Sequence, residues 1–321
     1  MVILAGYQIL DQIHESSNSL VYRGIRESDH RPVILKVLKA DYPTLAELTR
    51  YQQEYQIARS LNFDGIVKAY SLETYQRTPV IIFEDFGGVS LKLLMRQRCF
   101  TLQEFLNIAI RTSESLGKIH AAHIIHKDIN PSNIVLNPDT GQLKIIDFGL
   151  ATALSQENPT LKNPSVLEGT LAYMSPEQTG RMNRSLDYRT DFYSLGVTFY
   201  ELLTHRLPFE ANDPMELVHS HIARQPVSLH DLSEQETCPK ILSDIVMKLM
   251  AKNAEDRYQS AWGLKADLKA CLMQLETKGK IFPFSLGCKD RAETFKIPQK
   301  LYGREREIET LLAAFERVSG G

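Results

Sequence analysis

The spacing of apolar residues changes abruptly at Gly87-Gly88, and that change narrows the folds open to this 321-residue chain. Before the glycine pair, residues 7–13, 20–25 and 33–38 are short runs of β-branched and apolar residues separated by turn formers, which reads as strands. Over residues 45–61 the spacing becomes helical, because Leu48, Tyr51, Tyr55, Ala58 and Leu61 recur at steps of three and four. Two more strands are expected at 66–72 and 79–83. After the pair, helices dominate. Leu102, Phe105, Ala109, Thr112, Leu116, Ile119 and His123 form one long stripe, and further helices are expected at 189–204, 214–224, 240–250 and 261–275. Two short strands flank the turn at 137–141. A sheet-rich lobe followed by a helical lobe is an α+β arrangement, with a cleft where the two meet.

Charge and cysteine usage exclude several functions. The net charge of −2 gives no general attraction to nucleic acid or anionic membranes. The four cysteines (Cys99, Cys238, Cys271 and Cys288) are widely separated, which argues against a disulfide framework and suits a reducing compartment. No apolar run approaches the roughly 18 residues of a membrane span, and the N-terminus lacks a basic leader. The expected setting is cytoplasmic, with no nucleic-acid partner and no membrane span.

The chemistry is concentrated in one run, Ile125-His126-Lys127-Asp128-Ile129-Asn130-Pro131-Ser132-Asn133, followed 14 positions after Asn133 by Asp147-Phe148-Gly149. Here the sequence resembles the eukaryotic-type Ser/Thr protein kinase family, whose catalytic loop reads His-Arg-Asp-x-x-x-x-Asn and whose metal-binding turn reads Asp-Phe-Gly. The resemblance implies a bilobal kinase-like fold over residues 1–275, with an N-lobe of antiparallel sheet and one helix (1–86) and a larger helical C-lobe (87–275). It also implies ATP and Mg²⁺ as cofactors, and a protein substrate offering a Ser or Thr hydroxyl. Asp128 would orient the acceptor hydroxyl and take its proton, while Asn133 and Asp147 would hold the metal through hard oxygens. Lys36 would reach the nucleotide phosphates, anchored by Glu54 from the polar side of the 45–61 helix. Ile13, His14, Ser16, Ser19, Val21, Ile34, Phe83, Glu84, Phe86 and Val135 would surround the nucleotide, with Phe83 as gatekeeper. The segment Thr170-x-x-Tyr173-Met174-Ser175-Pro176-Glu177 matches the end of a Ser/Thr-type activation loop. Asp191 would brace the catalytic loop and Arg257 would pair with Glu177. Thr152, Ser155, Thr160 and Ser165 are loop hydroxyls open to phosphorylation.

Four departures stand out. His14, Ser16 and Ser19 occupy the glycine positions of the phosphate-covering loop, where glycine lets backbone amides approach phosphate without a Cβ. Ile34 replaces a small alanine. Lys127 replaces an arginine and so lacks its bidentate fork. Asn130 stands where Ser/Thr members carry a lysine on the transferring phosphate. Asparagine keeps a neutral donor there and is counted among the catalytic candidates. These departures leave a second reading open, a pseudokinase scaffold or binding module with weak or no phosphotransfer. His120, His123 and His126 share a three-residue spacing, but the catalytic-loop match already claims His126.

Residues 276–300 show mixed polarity without sustained periodicity and read as a linker. At 301–321, Leu301-Tyr302-Gly303-Arg304-Glu305 opens a helical pattern that resembles the start of an AAA-type ATPase, truncated here. Such an order resembles large bacterial multidomain sensor kinases, and downstream domains of a longer chain are the expected partners.

Overall fold

A computed structural model describes residues 4–16, 18–39, 43–75, 78–153, 170–181, 186–232 and 238–291. The expected loop sites Ser155, Thr160 and Ser165, and the expected ATPase start at 301–321, lie outside the described residues. The described part belongs to one compact unit, Met1–Arg291.

The first lobe is a five-stranded antiparallel sheet: β1 (Tyr7–Glu15), β2 (Ser19–Arg26), β3 (Arg31–Leu38), β4 (Ala69–Tyr75) and β5 (Thr78–Glu84), in the order β1-β2-β3-β5-β4. The two-residue period of a strand decides what each face does. Val33, Leu35 and Val37 of β3, with Val80 and Ile82 of β5, bury one face almost completely. Ile34 and Lys36 therefore point to the other face, on which Ile81 and Phe83 join the main core. That alternation turns the one lysine of the β3 core toward the second lobe.

Helix α1 (Leu45–Ser60) covers this face. Thr44 caps it, and Glu47 reaches back to the Thr44 amide in a capping box, so Glu47 is committed to the helix start. The residue pattern places Glu54 on the polar side of the apolar stripe, yet Glu54 is only 2% exposed and lies inward with Tyr51 and Ala58. The spacing 51, 54, 58 makes one face, and a carboxylate sits on it because Lys36 is there to meet it.

The strand expected at 66–72 begins later, at Ala69. Gly65 adopts φ +101°, and Ile66 pairs instead with Ile145 of the second lobe, through bonds from the Ile145 amide to the Gly65 carbonyl (2.8 Å) and from the Val67 amide to the Ile145 carbonyl (3.3 Å). An added Cβ at Gly65 would come within 2.1 Å of the Ser115 hydroxyl, so only glycine allows this close crossing.

The second lobe contains β6 (Val89–Ser90), α2 (Leu91–Gln97), α3 (Leu102–Ala121), β7 (Ile124–Ile125), β8 (Ile134–Leu136), β9 (Leu143–Ile145), β10 (Thr152–Ala153), α4 (Arg189–Thr204), α5 (Pro214–Ala223), α6 (Leu229–Leu232), α7 (Lys240–Leu249) and α8 (Ala261–Lys278). Helix α4 is its axis, with every residue from Thr190 to Leu202 buried. Helices α3 and α7 pack against it, and α8 packs along α3. This is the bilobal α+β arrangement expected from the change of period.

The expected linker differs over its first part. Helix α8 continues through Lys278, and Ile281, Phe284 and Leu286 pack on the core. Asp290 then accepts hydrogen bonds from the Gln259 and Ser260 amides at 2.7 and 2.8 Å, at the start of α8. Residues 279–291 are therefore docked on the lobe, and 292–300 lie outside the described residues.

Candidate active site

Lys36 is the junction of the two lobes. Its Nζ donates to Glu54 Oε1 and Oε2 at 2.7 and 2.9 Å, and to Asp147 Oδ1 at 3.0 Å. Burial alone would lower the lysine pKa, but the carboxylates of Asp147 and Glu54 outweigh it and raise the value above normal. Burial pushes Glu54 up to about 7 despite the opposing pull of Lys36. Crowding also works against the charge of Asp147, yet Lys36 and the Gly149 amide together hold its carboxyl below the ordinary range. Asp147 adopts φ +64°, a left-handed conformation unusual for a residue with a side chain, and 42% of its side-chain surface stays open.

The loop from His126 to Asn133 is held from beneath. Asp191, fully buried at the start of α4, accepts from the His126 amide (2.9 Å), the Lys127 amide (2.7 Å) and His120 Nε2 (2.9 Å). Desolvation opposes its charge, but the hydrogen bonds from His120 and the His126 amide hold its pKa down. His126 turns its ring against Phe148, with centroids 5.0 Å apart, and its Nε2 lies 3.1 Å from the Ile146 carbonyl. Above this base, Asn133 Nδ2 donates to both the backbone oxygen and Oδ2 of Asp128 at 2.9 Å. The other oxygen of Asp128 accepts from the Thr170 amide (3.1 Å) and hydroxyl (2.9 Å).

Asn130 does not sit as expected. It is 4% exposed, its amide donates to the Asp128 carbonyl at 3.1 Å, and its oxygen accepts from the Ser132 amide at 2.9 Å. Both polar ends close a turn within the loop, which engages the Oδ1 and one of the two amide protons of Asn130.

In the β1–β2 turn, Ser16 does what backbone contacts alone would not. Its hydroxyl accepts from the Asn18 and Ser19 amides at 3.2 and 2.9 Å and lies 3.0 Å from the Ser19 hydroxyl. Ser19 is buried, Ser16 half-buried and His14 exposed. A bulge between Gln12 and His14 leaves Ile13 unpaired and 40% exposed.

Val21 is half-buried and pairs with Lys36 across the ladder, while Ile34 is paired with the buried Phe83. Val135 is buried on β8. Glu84 and Phe86 follow at the crossing between the lobes.

Three side chains at this site were not singled out from sequence. Buried Lys144 donates to Glu84 and stands 5.2 Å from the Phe86 ring centroid, and Asn137 donates to the Phe86 carbonyl at 2.6 Å. Lys144 carried the same signal as Lys36, a lysine inside an apolar strand. Gln178, which touches the catalytic loop through Lys127, carried none.

Glu177 and Arg257 form a buried bidentate pair at 2.6 and 2.8 Å, as expected. Among the described residues no group of three or more His, Cys, Asp or Glu is arranged to hold a metal. The donor set does suit a hard cation shared with phosphate. Asn133 commits its NH₂ to Asp128, which turns its carbonyl oxygen the opposite way, and Asp147 keeps Oδ2 beside an open surface. Magnesium is usually held by one or two protein oxygens with substrate phosphates and water completing its shell.

Comparisons agree with this geometry. The protein kinase domain family matches residues 7–267. A probable serine/threonine-protein kinase of Streptomyces coelicolor is 34% identical over 248 residues, covering 75% of this chain and 36% of that protein. The serine/threonine-protein kinase PknB of Mycobacterium tuberculosis is 32% identical over 245 residues, covering 74% and 38%. The hybrid signal transduction histidine kinase G of Dictyostelium discoideum is 31% identical over 309 residues, covering 68% of this chain and 9% of that protein. The chain spans less than half the length of these curated relatives.

Proposed function

This chain belongs to the protein kinase domain family, and from that premise we propose that it transfers the γ-phosphate of ATP to Ser or Thr hydroxyls of a protein substrate. The observation that carries the reading is the Lys36 junction. One ammonium touches both Glu54 of the first lobe and Asp147 of the second, so phosphates between the lobes would meet a fixed positive charge.

Asp128 is the acceptor-side residue. A hydroxyl donor, that of Thr170, already lies 2.9 Å from its Oδ1, and Asn133 holds the other carboxylate oxygen. A substrate hydroxyl placed there would pass its proton to Asp128 while its oxygen bonds to the γ-phosphorus and the bond to the bridging oxygen breaks, leaving ADP. Asn133 and Asp147 would hold Mg²⁺, which when bound neutralises charge on the phosphate oxygens. Ile34 and Val135 supply apolar walls for adenine, with Glu84 and Phe86 along its polar edge. Phosphate contact by the Asn130 side chain forms no part of this reading.

The relatives' printed names favour catalysis over a scaffold. The match to a hybrid histidine kinase supports placing this domain within a larger signalling protein, and the residue pattern at 301–321 is our only ground for reading an AAA-type ATPase there. No helix among the described residues is long and apolar enough to cross a membrane.

Purified protein with Mg-ATP should incorporate radiolabel into itself or a protein acceptor, and Asp128→Ala should reduce the rate at least 100-fold. Saturating Mg-ATP should raise the melting temperature, and Lys36→Met should shrink that shift. Equal incorporation by Asp128→Ala and wild type would sink the assignment.

A further inference from the structure

Asp128 follows a residue in an unusual conformation. Lys127 has φ +67°, in the left-handed region that side chains disfavour, and it is buried. Something must hold it there, and the peptide groups on its two sides are both clamped. Its amide donates to Asp191 at 2.7 Å. Its carbonyl accepts from Gln178 Nε2 at 2.9 Å.

Gln178 stands 51 positions from Lys127, in the 3-10 turn Pro176–Thr179. Its Oε1 accepts from the Ser175 amide at 3.0 Å and hydroxyl at 3.1 Å. The orientation of this side-chain amide is unambiguous, because the Ser175 N–H can only donate and the Lys127 carbonyl can only accept. The Ser175 hydroxyl also lies 3.3 Å from the Thr190 hydroxyl, and Thr190 donates to Glu177, the partner of Arg257. One half-buried amide thus ties the catalytic loop to the Thr170–Thr179 segment, which also places Thr170 on Asp128.

We propose that Gln178 is a positioning residue for phosphotransfer, one that sets the Lys127 carbonyl, and with it the aim of Asp128, according to whether the segment from Thr170 to Thr179 is in place. The inference rests on the kinase reading above for its catalytic consequence, but the tie itself does not. The side-chain bonds of Gln178 go to Ser175 and Lys127, and none goes to the Lys36 junction. Its loss therefore lowers turnover while ATP binding persists, a split that general destabilisation would not produce.

Two variants separate the arms of the amide. Gln178→Glu keeps the acceptor for Ser175 and sets a carboxylate oxygen against the Lys127 carbonyl. Gln178→Lys keeps a donor for Lys127 and loses the acceptor. Expected are a kcat about tenfold lower for Gln178→Glu, a KM for ATP within about twofold of wild type, and a clear partial recovery of kcat in Gln178→Lys.

Hydrogen exchange of the 126–133 backbone, measured on the same proteins, should rise in Gln178→Glu and stay near wild type in Gln178→Lys. Equal kcat in wild type and Gln178→Glu, or equal loss in both variants, would overturn the proposal. So would loop exchange unchanged in Gln178→Glu. If wild type itself transfers no phosphate, the kinase reading falls and the exchange measurement alone decides whether the tie exists.

Discussion

The β1–β2 turn and the catalytic loop both depart from the kinase pattern, and they absorb the change in opposite ways. In the turn, the Ser16 hydroxyl binds the amides of Asn18 and Ser19, so a side chain replaces the conformational freedom of glycine with local hydrogen bonds. In the loop, the Asn130 amide likewise bonds locally, to the Asp128 carbonyl and Ser132 amide. The first substitution gives back what it removes, since the turn only needs a defined shape. The second is different in kind, because the family pattern implies a lysine reaching the phosphate where the Asn130 side chain folds inward. A departure from pattern is harmful when the missing feature is reach or charge, and tolerable when it is backbone geometry.

The largest expected effect tests the loop half of that contrast. Asn130→Lys should raise kcat about tenfold or more, because a long stem can carry its ammonium out of the buried turn toward the phosphate. It should also cost about 1 kcal/mol of stability through the two lost turn bonds, read as a lower melting temperature. No gain in kcat would mean that the loop lacks nothing electrostatically, and the contrast would fail.

A smaller effect is expected in the turn. Ser16→Ala removes the acceptor for two amides in a partly exposed hairpin, a loss of about 1 kcal/mol of ordering, or roughly fivefold in KM for ATP, with kcat unchanged. A KM unchanged in Ser16→Ala would show that the serine is a bystander and that the turn holds its shape by backbone pairing alone.

How much of this was legible in the sequence follows the same division. Change of period at Gly87 gave the two lobes, because alternation and three-four spacing are written in local order. Lys36, Asp128, Asn133 and Asp147 could be picked out because their motif spacing is local too. Glu54 is legible as the partner of Lys36, and the ion pair forms, but the polar side of the stripe on which the pattern places it is turned inward and buried. Ile66 and Val67 look like the start of β4, yet they pair with β9, a partner that nothing nearby announces. The inward turn of Asn130, the Gln178 bridge and the Asp290 contact with α8 all depend on what a polar side chain meets. Composition records that such a group must be satisfied, not by whom.

The smallest effect concerns the Lys36 junction, a third kind of site where two carboxylates share one ammonium. Burial raises the folded pKa of Glu54 from its ordinary 4.5 to about 7, so the folded protein binds this proton more tightly than the unfolded chain does. A raised carboxyl of this kind contributes stability that is complete below the unfolded pKa and is lost as pH climbs through the folded one. Asp147 is shifted down and Lys36 up, which puts both outside the interval between pH 5 and 7.5. The nucleotide-free protein should therefore melt a few degrees lower at pH 7.5 than at pH 5.5 on account of this group, roughly the scale of a kcal/mol or so in a domain this size. Glu54→Gln should remove that part of the slope, since an amide does not titrate. A slope identical in Glu54→Gln and wild type would place the titration elsewhere and would mean that Lys36 satisfies both carboxylates fully, making the junction as self-contained as the serine turn.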